Sequence, residues 1–226
     1  MALKKWTLLF VGLLISSSLM AQQFEGVIKA EYYQGKTDSR SDITWYLAPG
    51  KIALNMVMSS QNGNYTATFI ARQGSNELDV LSQTPDGKKL HHAIPASDIS
   101  SPEHFPSYGS FEAQLQDETK NQAGYRTTKV VGESDESKTI AWVAKDIDFP
   151  FYQYADYFKS DYNIALLADI QMNGFPLQSV TTNNRGLIIE SIEVEDVTER
   201  NLDPSVFKVP ADYKTVEKSN IGVMGQ

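Results

Sequence analysis

Between Phe24 and Pro95 the chain alternates apolar and polar side chains with a period of two, and that rhythm excludes most ways of folding it. Ile43, Trp45 and Leu47 alternate with Thr44 and Tyr46, and Ile52, Leu54, Met56 and Met58 alternate with Ala53 and Asn55. Successive side chains of a strand point to opposite faces, so this spacing gathers the apolar set on one side. A helix of the same sequence would scatter it around the axis. The interruptions are turn chemistry. "APGK" (48–51) separates the first two runs, "QNGN" (61–64) carries Asn-Gly, and "TPDGK" (84–88) repeats the device. The first half therefore reads as a meander with strands over about 24–34, 42–48, 51–60, 65–73, 76–83 and 88–95.

The rhythm lapses over 96–124, a stretch rich in serine and proline, where a loop is expected with a short helix from Ser110 to Thr119. Strands resume at about 125–132 and 138–145, joined by "GESDES" (132–137). In "DFPFYQYADYFKSDY" (148–162), Asp148 and Pro150 suit a helix start. Phe151, Tyr154 and Phe158 then recur at helical spacing, so an aromatic helix is expected over 149–159. Residues 164–170 fit helix or strand. "FPLQSVTTN" and "LIIESIEVEDVTE" flank "NNRG" (183–186) as a closing hairpin, followed by "LDPSVFKVPADY" (202–213). Pro210 lacks a ladder donor, which places that last segment at a sheet edge or exit, with Val206, Phe207 and Tyr213 as apolar anchors. About ten strands tend to curl, split or close, and the aromatic helix is the natural cover of the concave side. The fold class is thus mainly antiparallel β with one or two helices (α+β).

There is no cysteine, so neither disulfides nor thiolate chemistry are available and a packed core must supply stability. Lys4 and Lys5, the apolar run Trp6–Ile15 and "SSSLMA" ending at Ala21 have the layout of a cleaved secretory signal peptide. The apolar run is shorter than the roughly 20 residues a bilayer span needs. Residues 1–21 are therefore read as leader and 22–226 as one domain, periplasmic or secreted, with no span after cleavage and no cysteine for a lipid anchor. Loss of Lys4 and Lys5 deepens the formal charge from −8 to −10, which excludes sequence-independent nucleic-acid binding.

Three stretches carry a resemblance: "WVAKDI" (142–147), "NGFPLQSV" (173–180) and "LDPSVFKVPADY" (202–213). In this order they resemble secreted bacterial proteins of domain-of-unknown-function family 4412. More distantly they are similar to the LolA-like superfamily of periplasmic lipoprotein carriers. The resemblance implies a curved sheet or open half-barrel wrapped around a helix. In the carriers the concavity holds acyl chains, which makes a lipid or lipoprotein acyl chain a candidate partner. The carriers' amino-terminal arginine and tryptophan pattern is absent here, so the resemblance speaks for fold before function.

No nucleophile elbow, phosphate loop or His-Glu-x-x-His helix occurs. His91 and His92 are adjacent on a strand and face opposite sides, so they make a poor chelate. With His104 they define the weakest reading, a hydrolase. Glu190, Glu193, Glu195, Asp196 and Glu199 read as a solvated strand face. Neither a catalytic residue, a metal site nor a cofactor is expected. The remaining feature is apolar: Trp45, Met56, Met58, Phe69 and Trp142 on strands, with Phe151, Tyr154 and Phe158 on the expected helix. These eight either fill a core or line a ligand site. At about 0.8 kcal/mol per buried methylene, a chain of ~14 carbons would gain roughly 11 kcal/mol before ordering costs. Two functions follow: a non-enzymatic exported protein binding a lipid or other apolar ligand, or a cell-envelope protein with a filled core that binds a protein partner through edge strands and the 96–124 segment.

Overall fold

The computed structural model describes residues 23–99, 112–158 and 161–216; the expected leader and His104 lie outside them. The alternating runs become six strands joined by tight turns: β1 (Gly26–Gln34), β2 (Ser39–Ala48), β3 (Lys51–Ser60), β4 (Gly63–Arg72), β5 (Glu77–Gln83) and β6 (Lys89–Pro95). A short helix, α1 (Ala96–Ile99), follows. The second meander comprises β7 (Glu112–Gln122), β8 (Tyr125–Glu133), β9 (Ser137–Ala144), β10 (Phe175–Asn183) and β11 (Ile188–Glu199). Its path is broken between β9 and β10 by a 3-10 turn, Phe151–Tyr154, and by helix α2 (Tyr162–Asp169). A second 3-10 turn, Pro204–Phe207, leads to β12 (Lys214–Thr215).

The two meanders join where β1 pairs antiparallel with β11, giving one twelve-stranded sheet in the order β12-β6-β5-β4-β3-β2-β1-β11-β10-β9-β8-β7. Every pairing is antiparallel except that of β12 with β6. The sheet curves but does not close, because β12 and β7 end it without pairing with each other. It is an open half-barrel rather than a barrel. Register shifts at Lys29/Ala30, Pro176/Gln178, Thr181/Thr182 and Leu115/Thr119 insert bulges that bend it. At the seam the backbones lie close. A β-carbon on Gly26 would overlap the Thr198 carbonyl oxygen, and one on Gly35 that of Ile188.

Two expectations about helices need correction. The segment expected as a helix from Ser110 to Thr119 is strand β7 from Glu112 onward, because pairing with β8 satisfies its backbone and outweighs weak local preference. The aromatic helix expected over 149–159 is one 3-10 turn. The N–H groups of Phe149 and Phe151 bond back to Ile147 and Phe149 carbonyls two residues earlier, a path incompatible with an α-helix. The helix that fills the concavity is instead α2, in the segment that fitted either element. Asp161 caps it, its carboxylate accepting from the N–H groups of Asn163 (2.8 Å) and Ile164 (3.1 Å). Asn163, Ile164, Leu166 and Leu167 are all fully buried, as befits a helix enclosed on most sides.

The main core lies between the concave face, the 3-10 turn and α2. Trp45 sits at its centre, with Phe151 edge-on at 5.2 Å and Phe175 at 5.8 Å, while Phe149 stacks on Tyr154 at 5.6 Å. A smaller core occupies the convex face, where Phe207 of the closing segment covers Ala48, Ala53, Ile70 and Leu81. The "LDPSVFKVPADY" stretch is therefore a strap across the outside of β2–β5, secured at the β6 edge by β12.

Candidate functional site

The concave face is not filled along its whole width. Beneath Tyr157 and Phe158 lies a cavity of about 200 Å³. Its floor comes from strands β1–β5: Tyr32; Ile43 and Trp45; Leu54 and Met56; Phe69; and Leu78. Glu190 and Ile192 of β11 complete it, and Asp161, at the start of α2, closes one side. The register explains the set. Ile43 lies opposite Met56, Trp45 opposite Leu54, and Leu54 opposite Phe69, so their side chains share a face. Tyr32 is paired with Ile192 across the β1–β11 seam.

The polar groups concentrate on one side. Glu190 is 8% exposed, and its Oε2 accepts from the Tyr32 hydroxyl at 3.2 Å. Burial, reinforced by repulsion from Asp161 and only partly offset by the Tyr32 hydrogen bond, pushes its carboxyl up to about 8. Asp161 is also pushed up by burial, against the pull of the two helix N–H groups it caps. Among the described residues that line the cavity none is basic. Trp45 is almost wholly buried, and its Nε1–H has no acceptor among the described residues. A smaller gap behind the cavity is bordered by Trp45, Asp161, Asn163 and Ile192. Further along the face the strands turn hydroxylic: Thr139 and Thr181, both fully buried, bond to each other at 3.0 Å.

The eight expected aromatic and methionine positions divide. Trp45, Met56, Phe69 and Phe158 line the cavity. Phe151 and Tyr154 lie in the packed core behind it. Met58 shares the face of Met56 but stands one pleat further along β3. Trp142 lies on the opposite face from the buried Ala141 and Val143, where the Lys120 ammonium sits 4.4 Å above its ring. Eight lining positions escaped the sequence reading of the site: the aliphatic Ile43, Leu54, Leu78 and Ile192, and the polar or aromatic Tyr32, Tyr157, Asp161 and Glu190. Glu190 was expected on a solvated acidic face, and burial corrects that. The signal was present, since Glu190 is in phase with Ile192 and Val194, the buried residues of β11, whereas Glu193, Glu195 and Asp196 are exposed.

The histidines do face opposite ways. His92 turns to the concave side opposite Val80, and burial lowers its basicity. His91 turns outward and bonds Asp79 Oδ1 at 2.7 Å and Thr215 Oγ1 at 3.2 Å. Arg72 Nη2 reaches Asp79 Oδ2 at 2.6 Å, and Arg72 Nε donates to the Phe207 carbonyl at 3.2 Å. This network lies under the strap and opens onto no cavity on the concave side. No group of three or more potential metal ligands occurs among the described residues. No helix among them is long and apolar enough to cross a membrane.

The model of the family described as Domain of unknown function (DUF4412) matches residues 24–213. No curated protein of known function matches the chain. Among solved structures it is similar to PNGF-II at 12% identity and a TM-score of 0.47, covering 86% of this chain and 32% of that one. It is similar to the Pseudomonas aeruginosa MucA/MucB complex at 10% identity and a TM-score of 0.48, covering 86% and 59%. A putative outer membrane lipoprotein-sorting protein domain from Vibrio parahaemolyticus aligns at 10% identity and a TM-score of 0.36, covering 81% and 89%. The chain thus spans about a third of PNGF-II and less than two thirds of the MucA/MucB chain.

Proposed function

Given that the chain belongs to the family described as Domain of unknown function (DUF4412), we propose that it is an exported, non-enzymatic protein that binds a lipid or other apolar ligand in the concave cavity between sheet and α2. The observation that carries this reading is the cavity itself. About 200 Å³ lies beside a core whose other large side chains are fully buried. A dry cavity of ~150 Å³ is enough to bind benzene, so this one encloses roughly eight carbons. That is shorter than the ~14-carbon chain considered from sequence and corresponds to about 6 kcal/mol of gross burial. His91, one of the three histidines of the hydrolase reading, is tied with Asp79 and Arg72 into the outer network, away from the cavity. The leader-like sequence supports placement in the periplasm or outside the cell.

Native mass spectrometry of protein purified from its own cell envelope tests this reading. A recurrent adduct of lipid or small apolar mass, lost on Met56→Trp, is expected. Preparations that are repeatedly free of adduct would refute it.

The second reading, a partner-binding envelope protein, is favoured by β7. It ends the sheet, and beyond Ala113, whose N–H is taken by Asp169 at 2.8 Å, its outer edge supports strand addition beside the half-exposed Leu115. In-cell crosslinking from β7 distinguishes the two: one recurrent protein partner favours this reading over the first.

A further inference from the structure

A molecule that fills the cavity changes the surroundings of one carboxyl above all. Glu190 lines the cavity from β11, in phase with Ile192 beside it. Its strand neighbours, Gln34 of β1 and Thr181 of β10, do not titrate, and the Thr181 hydroxyl is engaged with Thr139. The Tyr32 hydroxyl reaches Oε2 from β1. From the cap of α2, Asp161 faces the same cavity, with Oδ1 accepting from the N–H groups of Asn163 and Ile164. The cover adds Tyr157 and Phe158, and strands β2 to β5 add only apolar side chains and the Trp45 ring. Lys159 and Ser160, between Phe158 and Asp161 in sequence, lie outside the described residues.

Two carboxyls beside one apolar cavity are costly to ionise together. Asp161 has two helix N–H donors to steady a negative charge, whereas Glu190 has one tyrosine hydroxyl, so Glu190 holds its proton to the higher pH. An ionised Glu190 needs water beside it, and an apolar ligand would take the space that admits this water. Ligand and carboxylate therefore compete. Binding favours the protonated carboxyl, and by reciprocity the proton favours binding.

We infer that Glu190 makes the site proton-coupled: an apolar ligand is held while this carboxyl is protonated and released as it ionises. The inference rests on the binding reading above and adds the regulation of the same site.

Toluene is the probe, because it cannot titrate and is close in size to the benzene that a cavity of ~150 Å³ binds. Calorimetric titration at about pH 6.5 and about pH 9, in buffers of different ionisation enthalpy, reads affinity and proton uptake together. Circular dichroism establishes that the protein is folded at both, and the Met56 methyl resonance reports occupancy. With the carboxyl at about 8, roughly one molecule in ten keeps the proton at about pH 9. Affinity is therefore expected to fall about fivefold to tenfold from its value at about pH 6.5, with uptake of up to about one proton per toluene at the higher pH. In Glu190→Gln the ratio of the two affinities should drop to about one and the proton uptake should vanish. Equal affinities in the unmodified protein, as a carboxylate held by a cation such as Lys159 would give, would overturn the inference and leave the binding reading standing. So would a pH dependence that survives Glu190→Gln. No binding at either pH, with the methyl unmoved, would remove the binding reading and this inference together.

Discussion

Two buried carboxylates sit on opposite faces of the same sheet and are treated in opposite ways. Asp79, on the convex face, has both oxygens engaged: Arg72 holds one and His91 the other. Glu190, on the concave face, is met among the described residues by a tyrosine hydroxyl and by the repulsion of Asp161. A buried charge is tolerated when it is paired and hydrogen-bonded, and otherwise takes a proton. The convex face has thus spent its charges on structure, clamping the strap over Phe207 and β12. The concave face carries Glu190 with no cationic partner among the described residues. The difference separates a face closed by the chain's own contacts from the face that carries the proposed ligand cavity.

Breaking the outer network should have the largest effect. Asp79→Ala strands Arg72 and His91 beneath the strap, and a loss of about 3–5 kcal/mol is expected in urea unfolding. A loss under 1 kcal/mol would mean the clamp is ornamental. Changing Glu190 should act in the other direction. Its carboxyl is held at about 8 in the folded chain against an ordinary value of 4.5. The folded state therefore retains a proton that the unfolded state releases between those values. Stability is full below pH 4.5, falls as pH rises toward 8, and levels off above it. Glu190→Gln should remove that slope, raising stability at pH 8 by up to ~4 kcal/mol and leaving it unchanged at pH 4. Parallel pH profiles for the two proteins would show that Glu190 is ionised and solvated. The smallest effect belongs to Thr215→Val, which removes one part-buried hydrogen bond from His91. About 0.5 kcal/mol is expected, read as a slight rise in proteolysis of the strap while the rest of the chain stays protected.

The comparison also sorts what the sequence made legible. Strand positions followed from period-two patterning and turn chemistry; Lys51–Ser60 and Phe175–Asn183 agree with the expected limits at both ends. Alternation is a local property and survives without knowledge of partners. The two helix expectations failed where tertiary structure overrode local preference. β7 exists because β8 lies beside it, and the aromatic segment turns tightly because its rings must enter the concavity from different directions. Half of the apolar residues singled out line the cavity, since large rings on one strand face are visible as such. Trp142 shows the limit of that signal: a ring on a strand can belong to either face. Glu190 was hidden for the opposite reason. Four acidic neighbours on β11 made it look solvated, and only its phase with Ile192 and Val194 set it apart.

The pairing of β12 with β6 has a consequence for self-association. Open sheets grow into fibres when each molecule can donate one bare edge and accept at another. Here Lys214 and Thr215 lie alongside Leu90 and His91, and the Val216 N–H bonds the His91 carbonyl at 3.0 Å, so the middle of β6 is already occupied. At the other end of the sheet the Ala113 N–H of β7 is taken by Asp169 at 2.8 Å, so among the described residues each terminal strand has part of its edge engaged, which shortens the stretch a second copy could pair with.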